Sequence, residues 1–474
     1  MENQKSKIVI AGASGYIGNN LLNKLKGKAD LIALSRNKKE NTTAITWRSC
    51  DLFSLVDAEE GLKDADIAVY LVHSMVPSAK LTQSSFENMD VILADNFARA
   101  AKFHNVKEII YLSGIIPDGD EHLSRHLKSR LEVEKILRAY GTPVTAIRAG
   151  LIVGPNGSSF PILAKLVQRL PAMILPKWTS SKTQPVALND VLESLSKVIL
   201  NSAKENRSID IGGPDVMTYR SMMEETAKVL GKKRYMFNVP LFSLSLSRLW
   251  LRLVTQTPKE IVYPLVESLT HEMIVQNANY VAGISDGKIP FREAAKIAIN
   301  ADKNNKKVKS KTNFGPLIQD VRSIQRVPLP KGQSADWVGR YYSIWLESFL
   351  NPWVKTTTDD ELNCKISFLR QKFLLLELSY SSERSTTDRA LYYITNGYLT
   401  DEHKNERGRM EFRKIPGRDE VIIAIHDYTP SLPWFVYYLT QANAHLIVMS
   451  AFRKHLEKIN DEKIALPLTC ETLV

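Results

Sequence analysis

A glycine-rich turn near the N-terminus constrains the fold of this chain more than any other feature. The turn, Gly12-Ala-Ser-Gly15-Tyr-Ile-Gly18, directly follows the apolar run Lys7–Ala11 and opens a helical pattern over Ile17–Leu25. In such a strand–turn–helix unit the first glycine permits the tight turn, the second lets the backbone approach a pyrophosphate, and the third lets the helix pack closely. The turn predicts a dinucleotide site, and the alternative is a turn that serves packing alone. The residues assigned to the site are Gly12, Ser14, Gly15, Tyr16, Ile17 and Gly18.

Short apolar runs alternate with longer helical patterns over the first 150 residues. The runs that follow Lys7–Ala11 are Leu31–Ser35, Asp66–Val72, Glu108–Ser113 and Val144–Arg148. Nearly continuous apolar strands separated by helices are typical of a parallel sheet that is covered on both faces. We therefore expect an α/β Rossmann domain, a doubly wound parallel sheet, followed after Gly150 by a small helical lobe.

The end of the second strand bears on the choice between NAD and NADP. An acidic residue there binds the ribose 2′-hydroxyl, whereas an arginine accommodates a 2′-phosphate. This chain has Ser35-Arg36-Asn37-Lys38-Lys39, with no acid before Glu40. We expect NADP(H) to be preferred, with NAD possible, and the alternative is that these are solvated loop charges. Asp51, with Leu52 beside it, follows the third strand and is placed to meet the adenine amino group.

The C-terminal third has a different pattern. Apolar runs over Lys365–Leu378, Arg389–Ile394, Arg409–Ile415 and Glu420–His426 predict strands. Helices are predicted over Ala335–Leu350 and over a single long stretch, Pro433–Ile459. Together they indicate an α+β domain. The predicted division is residues 1–300, a Lys-rich linker 301–314, and residues 315–474.

The composition of the chain limits which kinds of partner and which compartment we expect. The chain has 63 basic and 51 acidic residues, a net charge of +12, but no nucleic-acid motif accompanies the basic residues, so nucleic acid is not expected. No apolar window reaches the ~20 residues of a spanning helix. Three distant cysteines favour a reducing compartment. We therefore expect a soluble cytoplasmic protein without a metal site; the sequence leaves its oligomeric state open. His403, His426 and Asp427 are interpreted as strand-end packing.

Several motifs resemble an atypical, extended-type short-chain dehydrogenase/reductase, within a bacterial group labelled nucleoside-diphosphate-sugar epimerase. They include the glycine turn, Cys50-Asp51-Leu52, Tyr70–His73, Tyr111–Gly114, Leu123–Arg130, Thr183-Gln184-Pro185 and Asp210–Asp215. The resemblance implies that Leu71, Val72 and His73 line the cofactor site. It also implies a second domain similar to a helix-grip fold with an apolar cavity, on motifs such as Gly408–Arg413 and Leu432-Pro433-Trp434.

The sequence departs from the family at the catalytic positions. Active members use Tyr-x-x-x-Lys on the helix after the fifth strand, with a serine on that strand. Here Ser113 fits the serine position, while Arg130 stands at the lysine position and His126 at the tyrosine position. Arginine keeps the positive charge, and histidine can titrate near neutrality, so His126 is a candidate acid–base residue. The alternative for His126 is a surface or ribose-contacting side chain.

Two functions remain open from the sequence. One is an NADP(H)-dependent oxidoreductase or epimerase-like enzyme that acts on a small-molecule substrate with a hydrophobic or bulky carbonyl. The other is a scaffold or redox sensor that holds NADP(H) without turnover, by analogy with an atypical complex I accessory subunit. The C-terminal domain is expected to bind an elongated apolar ligand against its long helix, with a filled core as the alternative. The helix residues expected to line that site are Trp434, Phe435, Tyr438, Leu439, Leu446, Met449 and Phe452.

Overall fold

The computed structural model describes residues 5–74, 79–118, 123–157, 159–239, 258–305, 318–369, 371–401 and 407–462, and also positions 248, 252 and 254–256. The chain divides into two compact units. The first comprises residues 1–76 and 90–315, and the second residues 77–89 and 316–474. The predicted linker lies mostly outside the described residues, and its first positions belong to a helix that continues to Asn305.

The strands are numbered along the chain. They are β1 Lys7–Ala11, β2 Asp30–Ser35, β3 Ile45–Ser49, β4 Ile67–Tyr70, β5 Ala79–Gln83, β6 Glu108–Gly114, β7 Val144–Ala149, β8 Ile152–Val153, β9 Ala172–Leu175, β10 Lys182–Thr183, β11 Val186–Ala187, β12 Arg207–Ile211, β13 Met217–Thr218, β14 Tyr235–Asn238, β15 Ile318–Pro328, β16 Val354–Thr358, β17 Cys364–Phe368, β18 Phe373–Tyr380, β19 Arg389–Asn396, β20 Arg409–Lys414 and β21 Glu420–Tyr428.

The α-helices are numbered in the same way. They are α1 Tyr16–Leu25, α2 Leu55–Leu62, α3 Phe86–Phe103, α4 Arg125–Arg138, α5 Ser159–Arg169, α6 Leu188–Leu200, α7 Tyr219–Val229, α8 Lys259–Ser268, α9 Phe291–Asn305, α10 Ala335–Phe349, α11 Trp434–Leu439 and α12 Gln441–Glu462.

The first unit is built on a seven-stranded sheet of order β12-β7-β6-β4-β1-β2-β3. Every neighbouring pair in it is parallel, which confirms the predicted Rossmann fold. Ile8, Val9 and Ile10 of β1 are fully buried. Because the carboxyl ends of parallel strands share one edge, the loops after β1, β2, β4 and β6 lie at that edge.

A smaller lobe of the first unit follows β7. Helices α5, α7, α8 and α9 pack around a second apolar core. Three short strand pairs accompany them, β8 with β11, β9 with β14, and β10 with β13. The lobe is therefore mainly helical, as predicted. Thr218 caps α7 by accepting a hydrogen bond from the Ser221 amide.

The second unit is an α+β structure with an eight-stranded sheet of order β16-β17-β18-β19-β20-β21-β15-β5. All neighbours are antiparallel except β15 and β5, which are parallel. Strand β5 comes from residues 77–89, far from the rest of this unit in sequence. This strand was not predicted from the sequence, and a fragment that starts at residue 315 lacks it.

Two predicted elements of the second unit are each divided in the structure. The run Lys365–Leu378 forms β17 and β18, which pair antiparallel across a turn in which Leu369 and Gln371 have φ of 50° and 69°. The stretch Pro433–Ile459 forms α11 and α12, because Thr440 departs from helical geometry with φ −114° and ψ −82°. Neither break carries a glycine or a proline.

Helices α10 and α12 pack against the sheet of the second unit through an aromatic core. Trp337 and Tyr341 stack with ring centroids 4.5 Å apart, and Phe452 lies 4.8 Å from Trp345. Met449 and Phe452 of α12 are buried, whereas Tyr438, Leu439 and Leu446 are exposed. The side chains of Trp434 and Phe435 lie outside the described set. The described helix residues therefore differ in exposure, and Met449 and Phe452 belong to the apolar core of the unit.

No helix within the described residues is long and apolar enough to cross a membrane. Cys50 and Cys364 are buried free thiols, and Cys470 lies outside the described residues.

Candidate functional site

The glycine turn after β1 has the geometry that its sequence predicts. Gly12 has φ +79°, and a Cβ there would lie 3.0 Å from the Leu71 backbone. A Cβ at Gly18 would lie 2.3 Å from the Gly12 carbonyl oxygen, so a side chain at that position would push α1 away from the turn. Helix α1 begins after Gly15 with no side-chain cap and no acidic residue in its first turn. Its first amide groups are therefore suited to an anionic group.

The remaining predicted cofactor residues lie around the same sheet edge. Ser35 ends β2 and Arg36 follows it with an exposed side chain. Asp51 and Leu52 follow β3; the Asp51 carboxylate accepts a hydrogen bond from the Phe53 amide at 3.2 Å. Ser14 is exposed within the glycine turn, and Val72 follows β4.

The three predicted catalytic residues lie on β6 and α4. Ser113 is buried near the end of β6, and His126 and Arg130 lie one turn apart on α4. The Arg130 guanidinium donates to the Tyr111 hydroxyl at 3.3 Å. Ser124 caps α4 by accepting a hydrogen bond from the Leu127 amide, which fixes the start of the helix that carries both residues.

His126 is held as a neutral imidazole. Burial lowers its pKa well below 6.5, and the nearby His73 and Arg130 lower it further. Its Nδ1 lies 3.2 Å from the Ser268 hydroxyl on α8. A neutral imidazole can donate or accept a hydrogen bond, but it does not carry the second proton that a general acid would release at neutral pH.

A contact between His73 and Asp90 that was not predicted from the sequence lies beside these residues. His73, in the loop after β4, places Nδ1 2.8 Å from Oδ2 of Asp90 on α3. Asp90 is only 1% exposed and also accepts hydrogen bonds from the Ser74 amide and the Ser129 hydroxyl. Burial acts to raise the pKa of Asp90, but the charges of His73 and Arg130 outweigh it, and the pKa lies below its ordinary value. The sequence signal was an acidic residue within the apolar pattern of α3.

These elements surround one cavity of about 610 Å³ within the first unit. Its polar end contains part of the predicted site, and its other end extends into the helical lobe. Of the predicted residues, the lining includes Gly12, Gly15, Tyr16, Ile17, Gly18, Leu71, His73, Ser113, His126 and Arg130. The lobe end is lined by apolar side chains that the sequence analysis did not identify, among them Leu163, Leu166, Trp178, Met223, Val262 and Val266. Ser14, Ser35, Arg36, Asp51, Leu52 and Val72 are not part of this lining.

Two of the sequence motifs hold the segments near this cavity together. The Gln184 side chain donates to the Gly213 carbonyl at 2.8 Å and accepts from the Val275 amide at 3.1 Å. Asp210 accepts from the Gln276 amide at 3.1 Å. A Cβ at Gly150 would lie 2.0 Å from the Gln184 carbonyl oxygen, which explains a glycine at that position. These contacts are structural and involve no titrating group in the cavity.

Of the two histidines noted in the second unit, the structure describes only His426. His426 is fully buried, and burial followed by the Arg409 charge lowers its pKa to about 3. His403 lies outside the described residues. Over the part of the chain that the structure describes, no group of three His, Cys, Asp or Glu side chains could hold a metal ion.

The parallel sheet, the glycine turn and the cavity at the carboxyl edge define the first unit as a Rossmann domain of the NAD(P)-binding, atypical short-chain dehydrogenase/reductase type. The chain belongs to the NmrA-like family, whose profile matches residues 4–286. The resemblance to an atypical short-chain dehydrogenase/reductase is thereby confirmed for this unit, while the helix-grip relationship of the second unit stays a prediction.

Known proteins similar to this chain include enzymes and an auxiliary protein. Auxiliary protein GraX of Staphylococcus aureus is 39% identical over 145 residues, which cover 30% of this chain and only 43% of GraX. UDP-glucose 4-epimerase of Vibrio cholerae is 24% identical over 264 residues, 50% of this chain and 80% of the epimerase. The structure of the NADPH-dependent quinone oxidoreductase of Escherichia coli with NADPH is 19% identical with a TM-score of 0.49, covering 61% of this chain and 98% of that one.

Proposed function

We propose that the first unit is an NADP(H)-dependent oxidoreductase or epimerase-like enzyme that acts on a hydrophobic or bulky carbonyl substrate. The observation that carries the proposal is the single cavity that joins the glycine turn to an apolar lobe. Ser113, His126 and Arg130 line it together with the turn. A site with a few polar groups at one end of an apolar cavity has the usual character of a small-molecule site.

The proposed dinucleotide contacts follow from the sheet edge. The uncapped start of α1 and the space kept open by Gly12 and Gly18 suit a pyrophosphate. Arg36 is proposed to contact a 2′-phosphate and Asp51 the adenine amino group. Arg130 keeps the positive charge of the family's lysine and is proposed to hold the nicotinamide ribose. When bound, the dinucleotide supplies or accepts a hydride.

The catalytic roles proposed here differ from the standard family pattern. Ser113 and neutral His126 are proposed to hydrogen-bond the substrate carbonyl and orient it. Because the pKa of His126 lies well below 6.5, this residue is proposed as a hydrogen-bonding group rather than as the store of the proton. The lobe side chains exclude water, which strengthens each polar contact at the other end of the cavity.

Two measurements test this proposal. Wild-type protein should bind NADPH in a fluorescence titration, and Gly15→Asp should weaken binding at least about tenfold, because it places a carboxylate beside the pyrophosphate. Gln168→Glu is the control, since it adds the same charge at an exposed position on α5. Equal affinity for wild type and Gly15→Asp would remove the site assignment.

Turnover is tested with phenanthrenequinone as an apolar carbonyl probe and NADPH absorbance as the readout. Met223→Trp should fill part of the lobe and lower kcat/KM for this probe while NADPH affinity is retained. The control is Leu200→Trp, at an exposed position at the end of α6. An unchanged kcat/KM for Met223→Trp would show that the lobe does not hold the substrate.

The alternative is a scaffold or redox sensor that binds NADP(H) without turnover. The observation in its favour is that α4 carries a neutral histidine and an arginine where the family uses tyrosine and lysine. NADPH binding by the wild type, with no NADPH oxidation across a panel of apolar aldehydes, ketones and quinones, would favour this alternative.

For the second unit, we propose a helix-grip-like arrangement, supported by α12 packing against β15 and α10 over the antiparallel sheet. Aromatic side chains pack in its described core, and we propose the cavity of the first unit as a binding site for an apolar ligand. Dye displacement with 1-anilinonaphthalene-8-sulfonate tests this. Met223→Trp should reduce binding, whereas Leu446→Ala on α12 should not.

A further inference from the structure

We propose that His73, positioned by Asp90, is the acid–base residue of the cavity, and that His126 only orients the ligand. This inference rests on the proposed function and assigns the proton that the function requires. His73 lines the same cavity as Ser113 and His126, and its ring centroid lies 5.3 Å from that of His126.

Asp90 fixes both the orientation and the proton arrangement of His73. The 2.8 Å contact between His73 Nδ1 and Asp90 Oδ2 favours a proton on Nδ1, because a carboxylate with a lowered pKa accepts but does not donate. Proton exchange with a ligand then involves Nε2. A buried carboxylate beside an imidazole also stabilises its protonated form.

Asp90 is itself held from two sides. The Ser74 amide follows His73 directly, and the Ser129 hydroxyl comes from α4 at 3.1 Å. Ser129 precedes Arg130 and lies one turn after His126. One carboxylate therefore connects the loop after β4 to the helix that carries His126 and Arg130. Asp90 and Ser129 act through His73 and are positioning residues.

His126 lacks a comparable partner among its described contacts. Its Nδ1 lies near a serine hydroxyl, which cannot stabilise an imidazolium as a carboxylate does. Among the described residues, the charged and titratable groups that act on the pair are Asp90 on α3, Arg130 on α4, Tyr70 on β4 and Tyr111 on β6. His271 also lies near His126, since it accepts a hydrogen bond from the Ser124 amide at the start of α4. The Asp90 carboxylate contacts His73 directly and acts on His126 only at longer range. If the two imidazoles share one additional proton, that proton therefore binds His73 in preference to His126.

In the proposed carbonyl reduction, His73 would supply the proton and the bound dinucleotide would supply the hydride. The carbonyl carbon accepts a hydride from the bound dinucleotide, and the π electron pair moves to the carbonyl oxygen. That oxygen takes the proton from Nε2 of protonated His73, which gives an alcohol and the oxidised dinucleotide. His73 regains its proton from water. In the reverse direction, neutral His73 accepts the proton of the alcohol.

The first test is NMR of the full chain with ¹⁵N-labelled histidine, assigned by His73→Asn and His126→Asn. His73 is expected to carry its proton on Nδ1 when neutral, and to titrate at a higher pH than His126. Asp90→Asn should lower the His73 pKa and leave the signal of His455, which bonds Tyr341 in the second unit, unchanged. A His73 that titrates below His126, or that is unaffected by Asp90→Asn, would overturn the proposal.

The second test is the pH profile of phenanthrenequinone reduction. His73→Asn should lower kcat at least about a hundredfold, whereas Asp90→Asn should move the profile to lower pH. His73→Gln serves as a second variant if His73→Asn fails to fold. If wild type turns over and both His73 variants keep its kcat and profile, the proposal fails while the proposed function stands. If wild type does not bind NADPH, the proposed function itself fails.

Discussion

The side-chain amide of Gln184 bridges to the backbone of Gly213, with Nε2 2.8 Å from the carbonyl oxygen. On its other side, Oε1 accepts from the amide of Val275 at 3.1 Å. A Cβ at Gly212 would lie 2.4 Å from the Gln184 side-chain carbonyl carbon, so the glycines of this segment admit the glutamine. The motifs Thr183-Gln184-Pro185 and Asp210–Asp215, which are separate in sequence, therefore contact each other directly.

Gln184→Ala should destabilise the first unit by about 1–3 kcal/mol, because two backbone groups lose their hydrogen-bond partner in a half-buried place. Urea denaturation of the full chain measures the change. Gln168→Ala, at an exposed position on α5, is the control and should change stability by less than about 0.5 kcal/mol. Equal effects of the two variants would show that the bridge adds no stability.

Arg36→Ala should weaken NADPH binding roughly ten- to a hundredfold and leave NADH binding nearly unchanged. The reason is the loss of one charge-assisted contact to the 2′-phosphate, worth on the order of 1.5–3 kcal/mol. Isothermal titration with both dinucleotides measures the ratio. Lys28→Ala removes an equally exposed positive charge from the loop between α1 and β2 and is the control. A parallel loss for both dinucleotides would show that Arg36 does not read the phosphate.

Glu411→Gln should destabilise the second unit by about 3–5 kcal/mol, since it removes the buried negative charge that three buried arginines share. Glu411 is 2% exposed, and its carboxylate accepts hydrogen bonds from Arg389, Arg409 and Arg413 at 2.5–3.2 Å. Thermal unfolding checks this. Glu420→Gln, which breaks the more exposed pair with Arg326, should cost at most about 1 kcal/mol. A similar small cost at both positions would contradict the prediction.

The protein should lose stability as the pH falls from about 6.5 towards 4, partly because of His445. Burial lowers the pKa of His445 to about 4, while the unfolded chain binds its proton near pH 6.5. The unfolded state therefore holds the extra proton over this window, at a cost to stability of up to about 3 kcal/mol. Urea unfolding at several pH values should show a flatter dependence for His445→Gln. Gln441→Ala, one turn earlier on α12, should keep the wild-type slope; the same slope in all three proteins would contradict the assignment.

The sequence predicted the first unit closely because its local signals agree with one another. Lys7–Ala11 is a strand over the predicted residues, and Leu21, Leu22 and Leu25 form the buried face of α1. The strand that was expected to reach Val72 ends at Tyr70, since the chain leaves the sheet there and brings His73 to the cavity. The spacing of apolar residues predicts whether a segment is a helix or a strand, whereas the residue at which a strand ends depends on the neighbouring strand.

Other features could not be predicted from the sequence, either because their residue types are unusual for the structure or because they depend on long-range contacts. The turn between β17 and β18 uses left-handed residues at Leu369 and Gln371, types that do not ordinarily signal a turn. The pairing of His73 with Asp90 joins a loop to a helix across 17 positions and is defined only once both elements pack. The apolar lobe likewise brings together side chains from α5, α7 and α8.

Strand β5 gives the second unit an unusual order of assembly. Ala79 pairs with Ile318, so the ribosome makes this strand about 240 residues before its partner. At ordinary rates of synthesis that interval is about 10–50 s, during which the first unit can be completed. Because pairings so distant along the chain form slowly, closure of this edge should be among the last steps of folding. Premature termination anywhere before β15 would release a chain that carries a strand with no partner, open to pairing with other chains.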